Sequence, residues 1–198
     1  MTTETQIVAL VQAVGADVKA LRTGPHAILP VGAAGYVSFS HNASALVTVA
    51  GGLNRLDFMP FIPASNMTVN ELAIEVTTVL AVSQVHVGIY ADAAGAPAAK
   101  LVGTTTPLDS TVLGVKVVAV SQALVAGTRY WIAVLTSATQ TLRAIPVAAL
   151  IPLSAPASGT AIPNLRRATA VFATGLPATA PATTPTSAIA PWVRMRLV

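Results

Sequence analysis

The sequence predicts a mainly β protein in which one N-terminal helix is followed by an antiparallel, jelly-roll-like β-sandwich. Apolar residues follow a helical period only at the start of the chain. From residue 36 onward, they alternate with polar residues in about eight to ten short runs separated by turn signals. These features predict the following organisation: helix 1–23, linker 24–35, sandwich 36–173, Pro/Ala/Thr-rich arm or loop 174–191 and final strand 192–198.

The N-terminal helix carries apolar residues at the alternating four-three spacing of a coiled-coil seam. The seam residues are Ile7, Val11, Val14, Val18 and Leu21. Thr3 and Gln6 form a capping box at its start, and Gly24 followed by Pro25 marks its end. A single helix of this length is only marginally stable in water. We therefore expect it to pack against its own copies, as a parallel homotrimeric stalk.

Residues 24–35 contain three Gly and two Pro, which indicates a linker between stalk and sandwich. In the sandwich, residues 68–78 show the clearest alternation, with Leu72, Ile74 and Val76 directed toward the core. Residues 84–90 follow the same pattern, with apolar residues at alternate positions directed inward and His86 outward.

The end of the chain contains two different patterns. The segment 174–191 is rich in Pro, Ala and Thr, so we expect an extended arm or long loop that contributes nothing to a core. In residues 192–198, apolar residues alternate with Arg194 and Arg196, which predicts a half-buried final strand.

The composition is unusually poor in charge. Charged residues make up 9% of the chain, whereas about 25% is typical of soluble domains. Mean hydropathy is +0.70. Two explanations fit these values together: a β surface rich in Thr, Ser and Ala that is polar without charge, and a surface partly buried between subunits. The net charge of +4 is scattered along the chain, so no nucleic-acid partner is expected. No apolar run is long enough for membrane insertion, and there is no signal-peptide pattern.

The candidate chemical groups do not form a catalytic pattern, and we expect no enzyme and no cofactor. Glu71 and Glu75 share a strand face, but at 3.3 Å per residue they would lie about 13 Å apart. Paired-carboxylate hydrolysis needs about 5 to 9.5 Å, so solvated outward charges are the preferred interpretation. No phosphate-binding loop or dinucleotide fingerprint is present. His26, His41 and His86 lack ligand-spaced partners, so no metal site is expected; three copies of His26 on a threefold axis remain the alternative.

Two pairs of residues are candidates for a partner or glycan surface. Tyr130 and Trp131 are adjacent, so on a strand we expect one of them to face outward or into an interface. An outward ring could stack on a sugar or on a protein partner. Arg194 and Arg196 form a small basic spot that favours contact with a partner or another subunit.

Several motifs together resemble proteins of tailed bacteriophages. The helix VQAVGADVKALR, residues 11–22, resembles the helix that opens many small tail and tail-fibre proteins. Segments 54–61, 87–92, 95–97 and 124–134 are similar to a sandwich domain frequent in the same virion proteins.

This resemblance implies a homotrimeric minor tail or tail-fibre component of the virion, made in the bacterial cytoplasm and without catalytic residues. Its implied partners are its own copies and other tail, baseplate or capsid proteins. Two alternatives remain open: a capsid decoration or head-fibre protein, and a carbohydrate-binding module that recognises a host surface glycan.

Overall fold

The computed structural model describes residues 12, 36–38, 44–150, 152–153 and 163–197. The predicted helix 1–23, with its seam at Ile7, Val11, Val14, Val18 and Leu21, lies outside the described residues except for Gln12, which is helical and exposed. The predicted linker 24–35, which contains His26, also lies outside them, as does His41.

The described part of the chain is built from short strands, as the alternating pattern predicts. The strands are β1 Tyr36–Ser38, β2 Val47–Ala50, β3 Arg55–Phe61, β4 Met67–Thr78, β5 Gln84–Ala93, β6 Ala96–Gly103, β7 Leu108–Asp109, β8 Gly114–Leu124, β9 Tyr130–Thr136, β10 Thr141–Ile145, β11 Leu165–Thr169, β12 Thr184–Thr186, β13 Ala190–Pro191 and β14 Arg194–Leu197. Two 3₁₀ turns occur at Val147–Ala149 and Phe172–Thr174. The strands form two antiparallel sheets, which fits the predicted β-sandwich.

Sheet I is organised around β4, its longest strand. One side of β4 pairs with β8, and the other side pairs with β14 and β10. Strand β1 extends the sheet beyond β14, while β2 and β13 pair with β10. Among the described strands, β8 pairs with β4 alone and therefore forms an edge of the sheet.

Sheet II has the strand order β12-β11-β3-β9-β5-β6, with β7 also paired to β5. The core between the two sheets contains the apolar residues that the alternation placed inward. Leu72, Ile74 and Val76 of β4 are buried, and so are the inward residues of β5. These inward predictions are confirmed, because the period of two correctly assigned one face of each strand to the core.

The Pro-rich segment is part of a second core, so the prediction of an arm or loop without core residues is wrong. We call residues 176–186 the strap. Near its start, Lys100 N in β6 donates to Ala178 O at 2.8 Å, and Ala180 N donates to Ala98 O at 2.7 Å. Its end is β12, which pairs with β11. The strap therefore pairs with both edges of sheet II, where proline is tolerated because no central ladder bond is lost.

Beneath the strap, the outer face of sheet II is buried as well. The cluster contains Leu56, Phe58, Tyr90, Trp131, Ala133, Leu135, Ala168, Ala170 and Leu176. Close approach is possible because Gly88 and Gly103 lack side chains: a Cβ at these positions would lie 2.6 and 2.8 Å from Leu176 Cδ1. Sheet II is thus a middle layer between sheet I and the strap, and all seven residues of β9 are buried.

Candidate interaction surface

Tyr130 and Trp131 point to opposite faces of β9, as expected, but neither is available to a partner. Tyr130 is 7% exposed and lies in the core between the sheets, where its hydroxyl accepts a hydrogen bond from Val125 N at 3.0 Å. Trp131 is 0% exposed in the core beneath the strap, and its Nε1 donates to Asp92 Oδ1 at 2.7 Å. The prediction that one ring faces a partner or glycan is wrong because the strap covers the outer face of the strand.

Arg194 lies on the outer face of sheet I, where it packs against two aromatic rings. Its guanidinium carbon lies 4.9 Å from the centroid of the Trp192 ring and 5.7 Å from that of Tyr36. Trp192 is oriented in turn by a 2.9 Å hydrogen bond from its Nε1 to Ser38 Oγ. The Nε and Nη2 atoms of Arg194 are shielded and have no hydrogen-bond partner among the described residues. Stacking on aromatic rings therefore positions this cation.

Arg196 lies next to Arg194 on the same face and takes part in a small charged network. Its Nη1 lies 4.0 Å from Glu71 Oε2, and the Tyr36 hydroxyl donates to the same carboxylate. Farther along β4, Arg143 Nη2 donates to Glu75 Oε1 at 2.9 Å. This hydrogen bond raises the pKa of Arg143. Both predicted outward carboxylates are thus partly covered and engaged with cations rather than freely solvated.

Beside this network, the edge strand β8 presents a face without charge. The outward residues are Val115, Val117, Ala119, Ser121 and Ala123, and all are exposed. They share a face with the network because Ala119 pairs with Glu71, and Val115 with Glu75. This row of small and β-branched side chains lies at the border of sheet I, where half of each valine remains open to solvent.

The apolar surface continues into two loops at one end of the sandwich. Ser110 joins them, because its backbone N donates to Ser83 O at 3.1 Å and its Oγ donates to Ser83 Oγ at 2.9 Å. The exposed large apolar side chains of these loops are Val79, Leu80, Val82, Val112 and Leu113, and the polar residues Asp109 and Thr111 are exposed beside them. We define the apolar edge as these five apolar residues together with the five outward residues of β8. Seven of the thirteen large apolar residues exposed in the described part of the chain belong to it, so exposed apolar surface is concentrated here.

Val82 is the most unusual residue of the apolar edge. It is 90% exposed, and its φ of 54° lies in the left-handed region that β-branched residues rarely adopt. The turn is held by Ser83, whose Oγ donates to Leu80 O at 2.6 Å. Backbone strain of this kind costs on the order of 1–3 kcal/mol and concentrates at functional sites.

His86 faces away from the core between the sheets, as predicted, because it pairs with Leu135 on the outer face of sheet II, but the predicted exposure is wrong because that face is covered and His86 is buried. Its Nδ1 lies 2.8 Å from Thr104 Oγ1, and its ring centroid lies 4.8 Å from that of Phe172. Burial lowers the pKa of His86, and the positive charge of Lys100 lowers it further. The ring borders an open cleft of about 320 Å³ that also contacts Thr174 and Gly175. No group of three His, Asp or Glu side chains in the described ranges could hold a metal ion.

No protein-family model matches the chain, and no curated protein matches its sequence. Among the described residues, no helix is both long and apolar enough to cross a membrane.

Proposed function

We propose that this chain is a non-enzymatic structural protein of a bacteriophage virion: a homotrimeric minor tail or tail-fibre component attached to a larger scaffold. In this proposal the sandwich is jelly-roll-like, and residues 1–23 form the coiled-coil stalk. The single observation that carries the assembly role is the apolar edge, and the resemblance of residues 11–22 and of the sandwich motifs supplies the virion context.

The apolar edge supports assembly because an isolated molecule would leave it in contact with water. Burying a fully exposed Val or Leu side chain stabilises a protein by about 1.5–3 kcal/mol. Val82 at 90% exposure and Leu113 at 60% would gain much of that on association. A chain with 9% charged residues also has few charges to desolvate when a subunit packs against it.

The surroundings of the described carboxylates support a structural role. Asp57 is almost fully buried between Arg55 and Arg167, with closest N···O distances of 2.7 and 2.6 Å. Asp92 accepts hydrogen bonds from Trp131 Nε1 and Gly95 N. These carboxylates position strands and turns, as Glu71 and Glu75 do on sheet I.

The mass of the full-length chain in solution tests the homotrimer. We expect about 60 kDa, three times the 20.0 kDa of one chain. Replacing Val14 and Val18 together by Asp should dissociate the assembly, because it places six charges in the predicted three-stranded seam. Trimers that survive this change would contradict the seam, and a monomeric wild type would contradict the homotrimer.

The place of the protein in the particle is a separate test. Antibody labelling of intact virions followed by electron microscopy should mark the tail. Labels on the head would favour the alternative of a capsid decoration or head-fibre protein, and unlabelled particles that lack the chain would contradict a virion role.

A further inference from the structure

We infer that the apolar edge is a contact surface between copies of this chain, with the outward face of β8 directed toward the trimer axis. The inference rests on the proposed homotrimer and deepens it, because it assigns part of the subunit contact to the sandwich. It commits to one occupant, which is the same surface on a second copy.

Charge is the first argument for a second copy. A surface that meets its own equivalent places like charges together unless those charges are absent or paired. The outward residues of β8 carry no charge, and the exposed Asp109 beside the second loop accepts hydrogen bonds from Thr111 N and Thr111 Oγ1. The nearest carboxylates on the same face, Glu71 and Glu75, are engaged with Arg196 and Arg143. An apolar strip thus lies beside polar groups that are largely paired with each other, and an apolar centre flanked by polar groups is the usual anatomy of a protein interface.

Size is the second argument. Seven large apolar side chains of the apolar edge are 41–90% exposed. Monomeric soluble proteins rarely expose large contiguous apolar patches, and such patches mark interaction sites. The concentration of exposed apolar side chains here therefore favours a subunit contact.

The third argument is that the apolar edge is ordered before any partner binds. The hydrogen bonds of Ser83 and Ser110 fix the two loops to each other, and Val76 pairs with Gly114 at the start of β8. A surface that is already ordered loses less conformational freedom on association. The strained backbone of Val82 then has a physical role, since it holds an apolar side chain out from the loop.

The gradient of side-chain size along β8 agrees with a threefold arrangement. Valines occupy outward positions 115 and 117, and Ala or Ser occupies positions 119, 121 and 123. In sheet I, Ala119 pairs with Glu71, which pairs with Arg196. Arg196 pairs in turn with Tyr36, the first residue of β1, so Ala119 and Tyr36 lie at the same level along the strand direction. Along the strand direction, the narrow half of β8 therefore lies at the end of sheet I where β1 begins, with β14 and β4 between β1 and β8. Small side chains there let three copies converge at the base of the predicted stalk.

The test compares full-length variants by sedimentation over a range of concentrations. Val117→Asp and Leu113→Asp each place a charge in the apolar edge, and we expect the trimer dissociation constant to rise at least tenfold for each, since burying one such residue corresponds to about a tenfold change or more. Val171→Asp is the matched control. It is 60% exposed, comparable to Leu113, but lies before the 3₁₀ turn Phe172–Thr174, outside the apolar edge. We expect this control to assemble like the wild type.

A cross-linking experiment covers the case in which the Asp variants do not fold. The chain contains no cysteine, so a single introduced cysteine is the only thiol present. Under mild oxidation, Ala119→Cys should form covalent dimers within the trimer, because a disulfide requires Cα atoms about 4.4–6.8 Å apart. Val171→Cys should remain uncrosslinked.

The outcomes separate the two levels of the proposal. A wild type that is monomeric at all concentrations overturns the homotrimer, and the inference with it. A wild-type trimer that is equally stable in both Asp variants, or that shows no more cross-linking at position 119 than at position 171, overturns the inference alone and assigns the subunit contact elsewhere.

Discussion

The two sheets are built from similarly apolar strands but have opposite relations to solvent. In sheet II, every residue of β9 is buried, because sheet I covers one face and the strap covers the other. In sheet I, β8 alternates between half-buried and exposed residues over most of its length. The comparison shows that the exposure of an apolar strand depends on whether a third layer exists. A period-two pattern alone does not reveal that layer.

The residues on the two outer faces differ in kind. The outer face of sheet II has large rings, among them Phe58 and Tyr90, whose centroids lie 5.1 Å apart in an edge-to-face arrangement. Such rings lose much stability if they are left in water. The outer face of sheet I has Arg–Glu pairs, two rings that stack on the cation of Arg194, and small apolar residues along β8. This face can remain exposed to solvent in a single chain, and in the proposed trimer it would pack against a second copy.

The largest expected effect comes from removing the main ring beneath the strap. Trp131→Ala should lower the free energy of unfolding by about 3–5 kcal/mol, the usual cost of removing a large buried aromatic side chain. Chemical denaturation of the purified chain measures it. Trp131→Phe keeps most of the ring volume but loses the hydrogen bond to Asp92, so it should cost less. Equal losses in the two variants would contradict the view that packing under the strap dominates.

Adding volume beneath the strap should have the next largest effect. In Gly103→Ala, the new Cβ would lie 2.8 Å from Leu176 Cδ1 and 2.9 Å from Val87 O. Overpacking of this kind costs about 1–3 kcal/mol. Gly52→Ala is the milder comparison, because there the new Cβ meets only Arg55 Cβ and Cδ, at 3.3 and 3.4 Å, and no backbone atom. Equal melting temperatures for the two variants would show that the strap does not pack tightly against sheet II.

The ion pair between Arg143 and Glu75 on sheet I should contribute less to stability. A double-mutant cycle with Arg143→Ala and Glu75→Ala should give a coupling energy well below the loss expected for Gly103→Ala, because the pair is partly solvated. The coupling should fall when salt is added. A coupling as large as the Gly103→Ala effect would indicate that sheet I is more completely covered in solution than the comparison of the two sheets implies.

The smallest expected effect depends on pH. Burial holds the pKa of His86 below its usual value of 6.5, so the folded chain binds this proton less readily than the unfolded chain does. The stability contributed by the neutral ring is present above pH 6.5 and is lost as pH falls below it. Thermal melts from pH 8 to pH 5 should show a steeper acid loss for the wild type than for His86→Asn. Parallel curves would mean that the ring is solvated when folded.

Local pattern was enough to find most strands and their inward residues. The alternation in residues 68–78 predicted β4 almost to its ends, since it is observed at Met67–Thr78. For β5, the predicted range 84–90 starts where the strand starts but ends three residues before Ala93. Strand ends depend on pairing with neighbours that are distant in the sequence, so local pattern determines them less precisely.

The candidate surface was only partly predictable. Arg194 and Arg196 lie on the outer face, as their alternation with buried Val193 and Met195 indicated. Tyr130, Trp131 and His86 did not follow their expected exposure. The apolar edge was missed, although the run of valines in residues 112–120 was a visible signal. Its exposure became clear only when β8 was found to pair with a single strand.

Composition and alternation therefore determined the strand-rich architecture and the scarcity of surface charge, because both follow from which side chains prefer water. The tertiary structure decided which apolar face was covered. A Pro-rich segment some forty residues after Trp131 in the sequence buries that ring because its backbone pairs with both edges of sheet II, and no comparable segment among the described residues covers β8. Burial depends on contacts between distant parts of the chain, and the period of a single strand contains no information about them.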